Sequence, residues 1–473
     1  MSELVPPNKF GGLLEFELTQ VAEQNRLSHF TRLEINVNGK SSPAWLEKIR
    51  KGALARFEAV GFPLTKTEAW RFTNVKPIAA IEWQAADGSN ADDALGLVKK
   101  FTFGRDAIVE LVFVNGQFRG ELSRMGKLPS GVTAQSLAEA VSDHPELVQK
   151  HLAKQALVEA NPFVALNTGL VADGAFIHLP AGTTVDQPIH ILLISTGGKK
   201  PVAAHPRVLV IAEEGVRATV VESYVGAEGQ TYFTNAVTEI VCGADSHIDH
   251  CRLQQESTAA FHVSTMQVDL GREATFVSHA CSIGARLSRN DLNCVMNGEG
   301  AYATLNGVVL IGGEQHCDNH TLLHHARANC PSHELYKHVL DGKSTAVFKG
   351  QIFVEREAQK TDSKQTSKTL LLSDDAYMNS QPALEIYADD VKCTHGSTTG
   401  PVDEDKIFYL RTRGVGLEAA RHLLTYAFAA DVTRRIKVES VRRRIEDYMA
   451  ARYGLPQDLR ITDVTTHDRA ALS

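Results

Sequence analysis

The spacing of apolar side chains predicts helices in the first third of the chain. A polar amphipathic helix is expected over 13–35, and a second begins near Ser42 and Pro43, with Ser as its cap and Pro in its first turn. Residues 134–160 again place apolar positions at helical spacing, and the Asn-Pro step at 161–162 is expected to end that helix.

Alternating apolar and polar positions predict strands in the middle of the chain. Asn115-Gly116 lies between two alternating runs, which is a strong hairpin signal. From about 163 to 395, short runs of Val, Ile, Thr and Phe are separated by Gly or Asp turns, and almost no helix is expected. The turns recur at intervals of 30, 26 and 29 residues, with anchors at Gly215, Asp245, Gly271 and Gly300.

Such an interval is typical of one coil of a β-solenoid, although an antiparallel barrel also fits the pattern. For a solenoid, we expect the terminal helices to cap the open ends. Helical spacing returns near the C-terminus and predicts three helices over 403–413, 417–436 and 438–453. The chain is thus expected to contain a mostly helical domain with a small hairpin (1–160), a β-helical core (161–400) and a C-terminal helical domain (401–473).

Composition narrows the function classes. Apolar residues make up 43% of the 473 residues and charged residues 22%, which is ordinary for a globular protein. The net charge of −7 argues against nucleic-acid binding, because that affinity depends mainly on basic neutralisation of phosphates. No apolar run approaches the roughly 18 residues of a membrane span, and the N-terminus lacks the pattern of a signal peptide. We therefore expect a cytoplasmic protein, or at most an organellar protein that has already been processed, that contacts no membrane.

Cysteine and histidine are frequent but scattered. The seven cysteines include no Cys-x-x-Cys pair, so free thiols in a reducing compartment are the simplest interpretation. Eight His and Cys residues lie between 316 and 338, but their spacing matches no recognised zinc ligand set, and the segment is predicted to be strand and turn. Imidazoles that bond to one another and to carbonyl groups explain this density more simply than a metal site.

The most reactive pair lies where the β region ends. Cys393 and His395 are two residues apart, so on an extended backbone both side chains point to the same face. The plain structural interpretation is a buried thiol beside a hydrogen-bonded imidazole, because cysteine is among the most buried residue types.

Several strings of the sequence together resemble a known signature. They begin around this pair with DDVKCTHG at 389–396 and IFYLRTRG at 407–414. Further strings lie upstream: EAWRFTN (68–74), YKHV (336–339), AVFKG (346–350), AQKTD (358–362) and LLLS (370–373). These strings resemble the SufB/SufD family, the scaffold subunits of the Suf system that builds iron–sulfur clusters, and the Cys-x-His-Gly form resembles its SufD branch. The resemblance implies a right-handed parallel β-helix between helical domains.

The resemblance also implies a scaffold that is non-catalytic on its own. Family members pair with a SufB-type scaffold and a SufC-type ATPase, which hydrolyses the ATP, and a transient iron–sulfur cluster forms at the heterodimer interface. No stably bound cofactor is expected, and although flavin is associated with family complexes, no flavin site is found here. His395 matches the interface histidine and is the expected metal ligand, with Cys393 on the same face. Docking of the ATPase is expected to use the apolar stripe and basic run of the tail: Leu423, Leu424, Phe428, Arg434 and Arg435.

Two other functions fit parts of the sequence. A SufB-like subunit would carry the cysteine that accepts sulfur, but the Cys-x-His-Gly form and the lack of any cysteine before Cys242 disfavour it. A β-helix enzyme acting on polysaccharide would use paired carboxylates in a long groove, and such proteins are normally secreted. In any of these cases an exposed last coil needs a partner, since unpaired strand edges associate, so the isolated chain is expected to form some homodimer.

Overall fold

A computed structural model describes residues 42–86, 91–198 and 200–454, and the predicted helix over 13–35 lies outside these described residues. None of the described helices is long and apolar enough to cross a membrane. The helices are α1 (Ala44–Val60), α2 (Lys76–Ala80), α3 (Ala91–Phe101), α4 (Leu137–Asp143), α5 (Pro145–His151), α6 (Pro162–Leu170), α7 (Glu404–Thr412), α8 (Leu417–Thr433) and α9 (Glu439–Tyr453).

Strands fill the region between α6 and α7, and a few precede it. They are β1 (Gln84–Ala85), β2 (Val109–Val114), β3 (Gln117–Phe118), β4 (Arg124–Met125), β5 (Thr133–Ser136), β6 (Gly174–Leu179), β7 (Ile189–Ser195), β8 (Val202–Ala204), β9 (Arg207–Ala212), β10 (Arg217–Gly226), β11 (Tyr232–Cys242), β12 (His247–Gln255), β13 (Phe261–Leu270), β14 (Thr275–Ser282), β15 (Leu287–Met296), β16 (Tyr302–Ile311), β17 (His316–His325), β18 (Pro331–Leu340), β19 (Thr345–Val354), β20 (Asp362–Leu371), β21 (Tyr377–Ser380), β22 (Ala383–Ile386) and β23 (Lys392–Pro401).

The strands form two sheets that face each other across one core. The first sheet runs β5-β6-β9-β11-β13-β15-β17-β19-β21, and β22 also pairs with β19; the second runs β3-β2-β7-β10-β12-β14-β16-β18-β20-β23. From β6 and β7 onward every pairing along these two paths is parallel, whereas antiparallel pairs occur only among the first strands of the described chain. The chain therefore winds between two sheets as a parallel β-solenoid, which confirms the solenoid prediction and rules out the antiparallel barrel.

The strand register gives the length of a coil. Arg217 pairs with His247, His247 with Thr275 and Thr275 with Tyr302, so successive coils advance by 30, 28 and 27 residues. These intervals agree with the spacing of the turns in the sequence. The predicted hairpin at Asn115-Gly116 is also confirmed, because Phe113 and Val114 of β2 pair antiparallel with β3.

The helices cover the outer faces of the sheets, and the expectation that they cap the ends of the solenoid was wrong. Helices α8 and α9 pack on the second sheet through an apolar layer that includes Tyr426, Ile445, Leu253 and Val308. On the first sheet, α1 and α6 form a similar layer with Trp70 and Trp83. A sheet whose two faces are both apolar needs cover on its outer side, whereas the end of the solenoid presents only an edge.

The helix predicted over 134–160 is also different. It is divided into β5, α4 and α5, and the Asn-Pro step does not end a helix but starts one, because the Asn161 side chain accepts a hydrogen bond from the Phe163 amide at 2.9 Å. All nine residues of α6 are buried between α1 and the first sheet, so the helix shows no amphipathic period. At α1 the N-cap residue is Pro43, and the Ser42 hydroxyl instead accepts a hydrogen bond from Arg50 at 2.6 Å.

The three C-terminal helices are confirmed, but the apolar stripe predicted for α8 is not the buried face. Its members Leu423, Leu424 and Phe428 are only half-buried. The buried face is made largely of small side chains, which let the helix backbone approach the sheet: Ala420, Thr425, Tyr426, Ala429, Ala430, Val432 and Thr433.

Candidate functional site

The last coil, formed by β21, β22 and β23, leaves the end of the solenoid open. Among the described residues β23 pairs only with β20, and β21 and β22 pair only with β19. Both sheets therefore end in an unpaired edge whose backbone N–H and C=O groups can bond to another chain. In the described part of the chain, no helix covers this end.

The register shows which side chains of the last strand point inward. In β20, buried Ser363, Gln365 and Ser367 alternate with exposed Lys364 and Lys368, so the odd-numbered positions face the core. Their partners on β23 are Cys393, His395 and Ser397. Residues that pair across a parallel sheet point to the same face of it. These three side chains therefore continue the inward rows of the solenoid.

The inward row is open to solvent at this coil. His395 is exposed although its position is an inward one, because no further strand lies beyond it in the described chain. Cys393 is half-buried, and burial raises the pKa of its thiol. The Ser397 hydroxyl donates a hydrogen bond at 2.8 Å to the Ser380 hydroxyl of β21, which joins the two sheets across the last coil. The pair predicted from sequence therefore lies together at an accessible mouth.

Two buried polar residues beneath His395 were not predicted from the sequence. Gln365 is directly opposite His395 in the register, and Glu334 is directly opposite Gln365 on β18. The Gln365 amide nitrogen donates to a Glu334 carboxylate oxygen at 2.7 Å. Burial raises the pKa of Glu334 to about 7. Alternation of Gln365 with exposed lysines was the available signal, but the link between the two residues depends on the register between coils.

The surface around this end is apolar. Of the nine large apolar side chains that are exposed in the described part of the chain, six belong to the last coil, to α7 or to the start of α8: Tyr377, Ile386, Tyr387, Phe408, Tyr409 and Leu417. Tyr387 is 55% exposed and Phe408 is 69% exposed. Apolar exposure concentrated beside unpaired strand edges is typical of a protein–protein interface.

The residues predicted to dock an ATPase are only partly available. The Phe428 ring lies 4.6 Å from the Lys337 ammonium group, and the Phe428 carbonyl accepts a hydrogen bond from that group at 2.9 Å. Leu424 packs against an apolar cluster around Val402 and Ile407. Leu423 is half-buried, and Arg434 and Arg435 are exposed. The exposed arginines and Leu423 are thus the members of the set that a partner can reach.

The His and Cys side chains of residues 316–338 point to different faces of the sheets. Cys317 and His325 of β17 face the core, whereas His316 and His320 lie on the outer face, where His316 bonds to Thr345 at 2.6 Å. Within the described residues, no group of three or more His, Cys, Asp or Glu side chains could hold a metal ion. The fold thus keeps these side chains apart instead of gathering them at one site.

The string EAWRFTN packs against the outer face of the first sheet. The Arg289 guanidinium lies 3.8 Å from the centre of the Trp70 ring, and Lys349 forms an ion pair with Glu68 at 2.9 Å. Thr73 donates to Asp318, whose pKa is lowered by His320 and Arg289 in spite of burial. Trp70 is buried in the core, so the string has a structural role, which is to hold the N-terminal segment on the first sheet.

Comparison with known proteins covers nearly the whole chain. The family described as "SUF system FeS cluster assembly, SufBD core domain" matches residues 193–428, and "SufBD protein N-terminal region" matches residues 21–191. An iron–sulfur cluster assembly SufBD family protein of Synechocystis is 31% identical over 453 residues, which cover 93% of this chain and 99% of the relative.

Two relatives carry the name SufD. The iron–sulfur cluster assembly protein SufD of Escherichia coli is 31% identical over 390 residues, which cover 81% of this chain and 88% of the relative. The protein of the same name from Bacillus subtilis is 27% identical over 416 residues, which cover 85% of this chain and 93% of the relative.

Proposed function

The chain belongs to the SufBD family of iron–sulfur cluster assembly proteins, and we propose that it works there as a SufD-type scaffold subunit. In this proposal it pairs through its last coil with a SufB-type scaffold, and the nascent cluster is cargo at their interface. The chain itself is non-catalytic, no cofactor is bound stably, and the complex works in the cytoplasm, where thiols stay reduced.

The observation that carries the proposal is the position of His395. It stands on an inward-facing position of the last strand, yet it is exposed at an unpaired sheet edge. A partner that extends the solenoid would enclose this imidazole at the junction. A neutral imidazole is a good iron ligand, so His395 is proposed as the ligand that this chain contributes to the nascent cluster.

Cys393 has a secondary place in the proposal. Its side chain shares the inward face with His395, but burial raises the pKa of the thiol, so the thiolate that binds iron is disfavoured in the free chain. We assign Cys393 a role in shaping the interface, with direct ligation only where the metal displaces its proton.

The ATPase is proposed to dock on the tail. Leu423, Arg434 and Arg435 lie on the accessible side of the α8 region, and Lys337 holds that region to the second sheet through its ion pair with Asp431 at 2.7 Å. This attachment would transmit movement of a bound SufC-type ATPase to the solenoid. ATP hydrolysis belongs to that partner.

Co-expression with SufB-type and SufC-type partners tests the proposal. The variant His395→Ala is expected to assemble with both partners and to lose at least about tenfold in iron–sulfur cluster content, measured by iron and sulfide analysis and by visible absorbance. The fold should persist because the side chain is exposed. Cluster loading equal to that of the wild type would contradict the assignment.

A matched surface variant separates assembly from ligation. Tyr387 is 55% exposed beside the open end, so Tyr387→Lys places a charge in the proposed interface without disturbing the core. It is expected to weaken assembly with the SufB-type partner, measured by native mass, whereas His395→Ala leaves the mass of the complex unchanged. A complex of normal stability with Tyr387→Lys would move the interface away from this end.

The SufB-like alternative is less well supported. Six of the seven cysteines are buried, and burial raises the pKa of each of these thiols. A cysteine that accepts sulfur needs access and thiolate character. Persulfide formation on the isolated chain, detected by mass spectrometry after incubation with a desulfurase, would restore that alternative.

A further inference from the structure

The core beneath the open end contains polar groups that the packing does not explain. On β20, the Gln365 carbonyl oxygen and the hydroxyls of Ser367 and Thr369 are buried without a hydrogen-bond partner among the described residues. Buried polar atoms are nearly always paired, so each of these is a position where a missing partner belongs. Gln365 is the one that stands directly opposite His395 in the register.

The orientation of the Gln365 amide is set from two sides. Its nitrogen donates to the Glu334 carboxylate at 2.7 Å, and above pH 7, where Glu334 is ionised, the carboxylate accepts but does not donate and therefore holds the nitrogen on that side. A side chain at position 350, on the opposite sheet, would clash with this amide, and the residue there is glycine. The carbonyl oxygen is therefore the atom of the amide that does not face Glu334, and it has no partner among the described residues.

On the next coil, the residue paired with Gln365 is His395. A histidine that binds a metal through one ring nitrogen almost always donates its other ring N–H to a carboxylate or carbonyl oxygen, and that bond fixes the tautomer and the ring orientation. Gln365 supplies an unpaired carbonyl oxygen on the neighbouring strand at the paired position. No other inward side chain of β20 is opposite His395.

We propose that Gln365 is the positioning residue of His395: its carbonyl oxygen, oriented by Glu334, accepts the imidazole N–H and leaves the other ring nitrogen facing the mouth of the solenoid. This inference rests on the proposed function of His395. Glu334 acts only through Gln365, and Gly350 leaves the space in which the amide lies. The AVFKG string thus contributes its glycine to the support of a histidine on a different coil.

The tautomer of His395 in the isolated full-length chain tests this directly. The protein is labelled with ¹⁵N-histidine, and ring nitrogens are observed by long-range ¹H–¹⁵N correlation at a pH where the imidazole is neutral. Signals that vanish in His395→Ala belong to His395. In the wild type one tautomer is expected to dominate, and Gln365→Leu is expected to change the tautomer ratio about two- to tenfold, as the loss of one hydrogen bond predicts.

Matched variants distinguish positioning from general damage. Ser367→Ala removes another unpaired polar group from the same inward row, and it is expected to leave the His395 tautomer ratio unchanged. The exchange Glu334→Gln with Gln365→Glu keeps one donor, one acceptor and the volume, and it is expected to retain the dominant tautomer. Gln365→Met replaces Gln365→Leu if the latter does not fold.

The outcomes separate this inference from the proposed function. An unchanged ratio in Gln365→Leu, or an equal change in Ser367→Ala, would overturn the positioning role even if His395→Ala abolishes cluster loading. A changed ratio in Gln365→Leu alone supports positioning, and in that case normal cluster loading by His395→Ala would overturn only the function assigned to the histidine.

Discussion

His250 and His395 occupy the same inward row of the second sheet, but their surroundings differ. The row runs through paired positions from His250 to Ser278, Leu305, Glu334, Gln365 and His395. His250 is fully buried, and its ring nitrogen lies 3.0 Å from the Glu222 carboxylate. His395 has the same orientation relative to its sheet and is exposed.

The difference lies in what comes next along the solenoid. Coils on both sides enclose His250, so its partners are fixed within the chain and the imidazole serves stability. Burial alone would raise the pKa of Glu222, but His250, Tyr224 and Thr238 hold it below its ordinary value. At the last coil the same backbone geometry leaves the imidazole without enclosure. The same inward position is therefore structural within the solenoid and accessible at its last coil, because no further coil covers it there.

Removal of His250 gives the largest expected effect on stability. In His250→Ala the Glu222 carboxylate stays buried without its imidazole, and breaking such a pair costs about 3–5 kcal/mol of unfolding free energy. Urea unfolding at neutral pH, followed by circular dichroism, measures the loss. A loss below about 1 kcal/mol would mean that Tyr224 and Thr238 alone satisfy the carboxylate.

Glu334 lies between the two histidines in the row. Its replacement is expected to change the unfolding free energy by an intermediate amount and in the opposite direction, towards higher stability. Burial raises its pKa from 4.5 to about 7, so the folded state holds a proton that the unfolded state releases between these values. Stability attributable to this residue is therefore intact below pH 4.5 and falls as the pH rises through 7, by at most about 3 kcal/mol.

The neutral variant Glu334→Gln tests the sign. It is expected to be more stable than the wild type at pH 8, by about 1–3 kcal/mol, with a much smaller difference at pH 5. Urea midpoints at the two pH values supply the comparison, and other titrating groups cancel because they are common to both proteins. A variant that is less stable at pH 8 would show that the ionised carboxylate is well satisfied in the fold.

The smallest effect is expected at the open end. His395→Ala should change the unfolding free energy by no more than about 1 kcal/mol, the contribution of the one hydrogen bond proposed to Gln365, because the side chain is otherwise exposed. The same urea experiment measures it beside His250→Ala. Equal losses for the two variants would remove the contrast between enclosed and open positions, and would assign His395 a structural role in this chain.

Much of the architecture follows from local sequence. Turns every 26–30 residues predict the coil length because each turn is formed by its own Gly or Asp, and the helices of the tail follow from their own apolar spacing. Helix α6 did not follow, since all of its side chains are buried and it has no polar face. The inward face of α8 did not follow either, because small residues rather than leucines contact the sheet.

The sequence by itself determined the period of the solenoid, the C-terminal helices, the family resemblance, and the fact that Cys393 and His395 share a face. Only the tertiary structure decided that this face is an inward one, that the coil bearing it is the last, and that Gln365 and Glu334 lie beneath it. The physical reason is the pairing between coils. It brings together residues about 30 positions apart through backbone hydrogen bonds, which do not depend on the side chains. Which residues become neighbours is therefore set by the register between coils and not by any local sequence pattern.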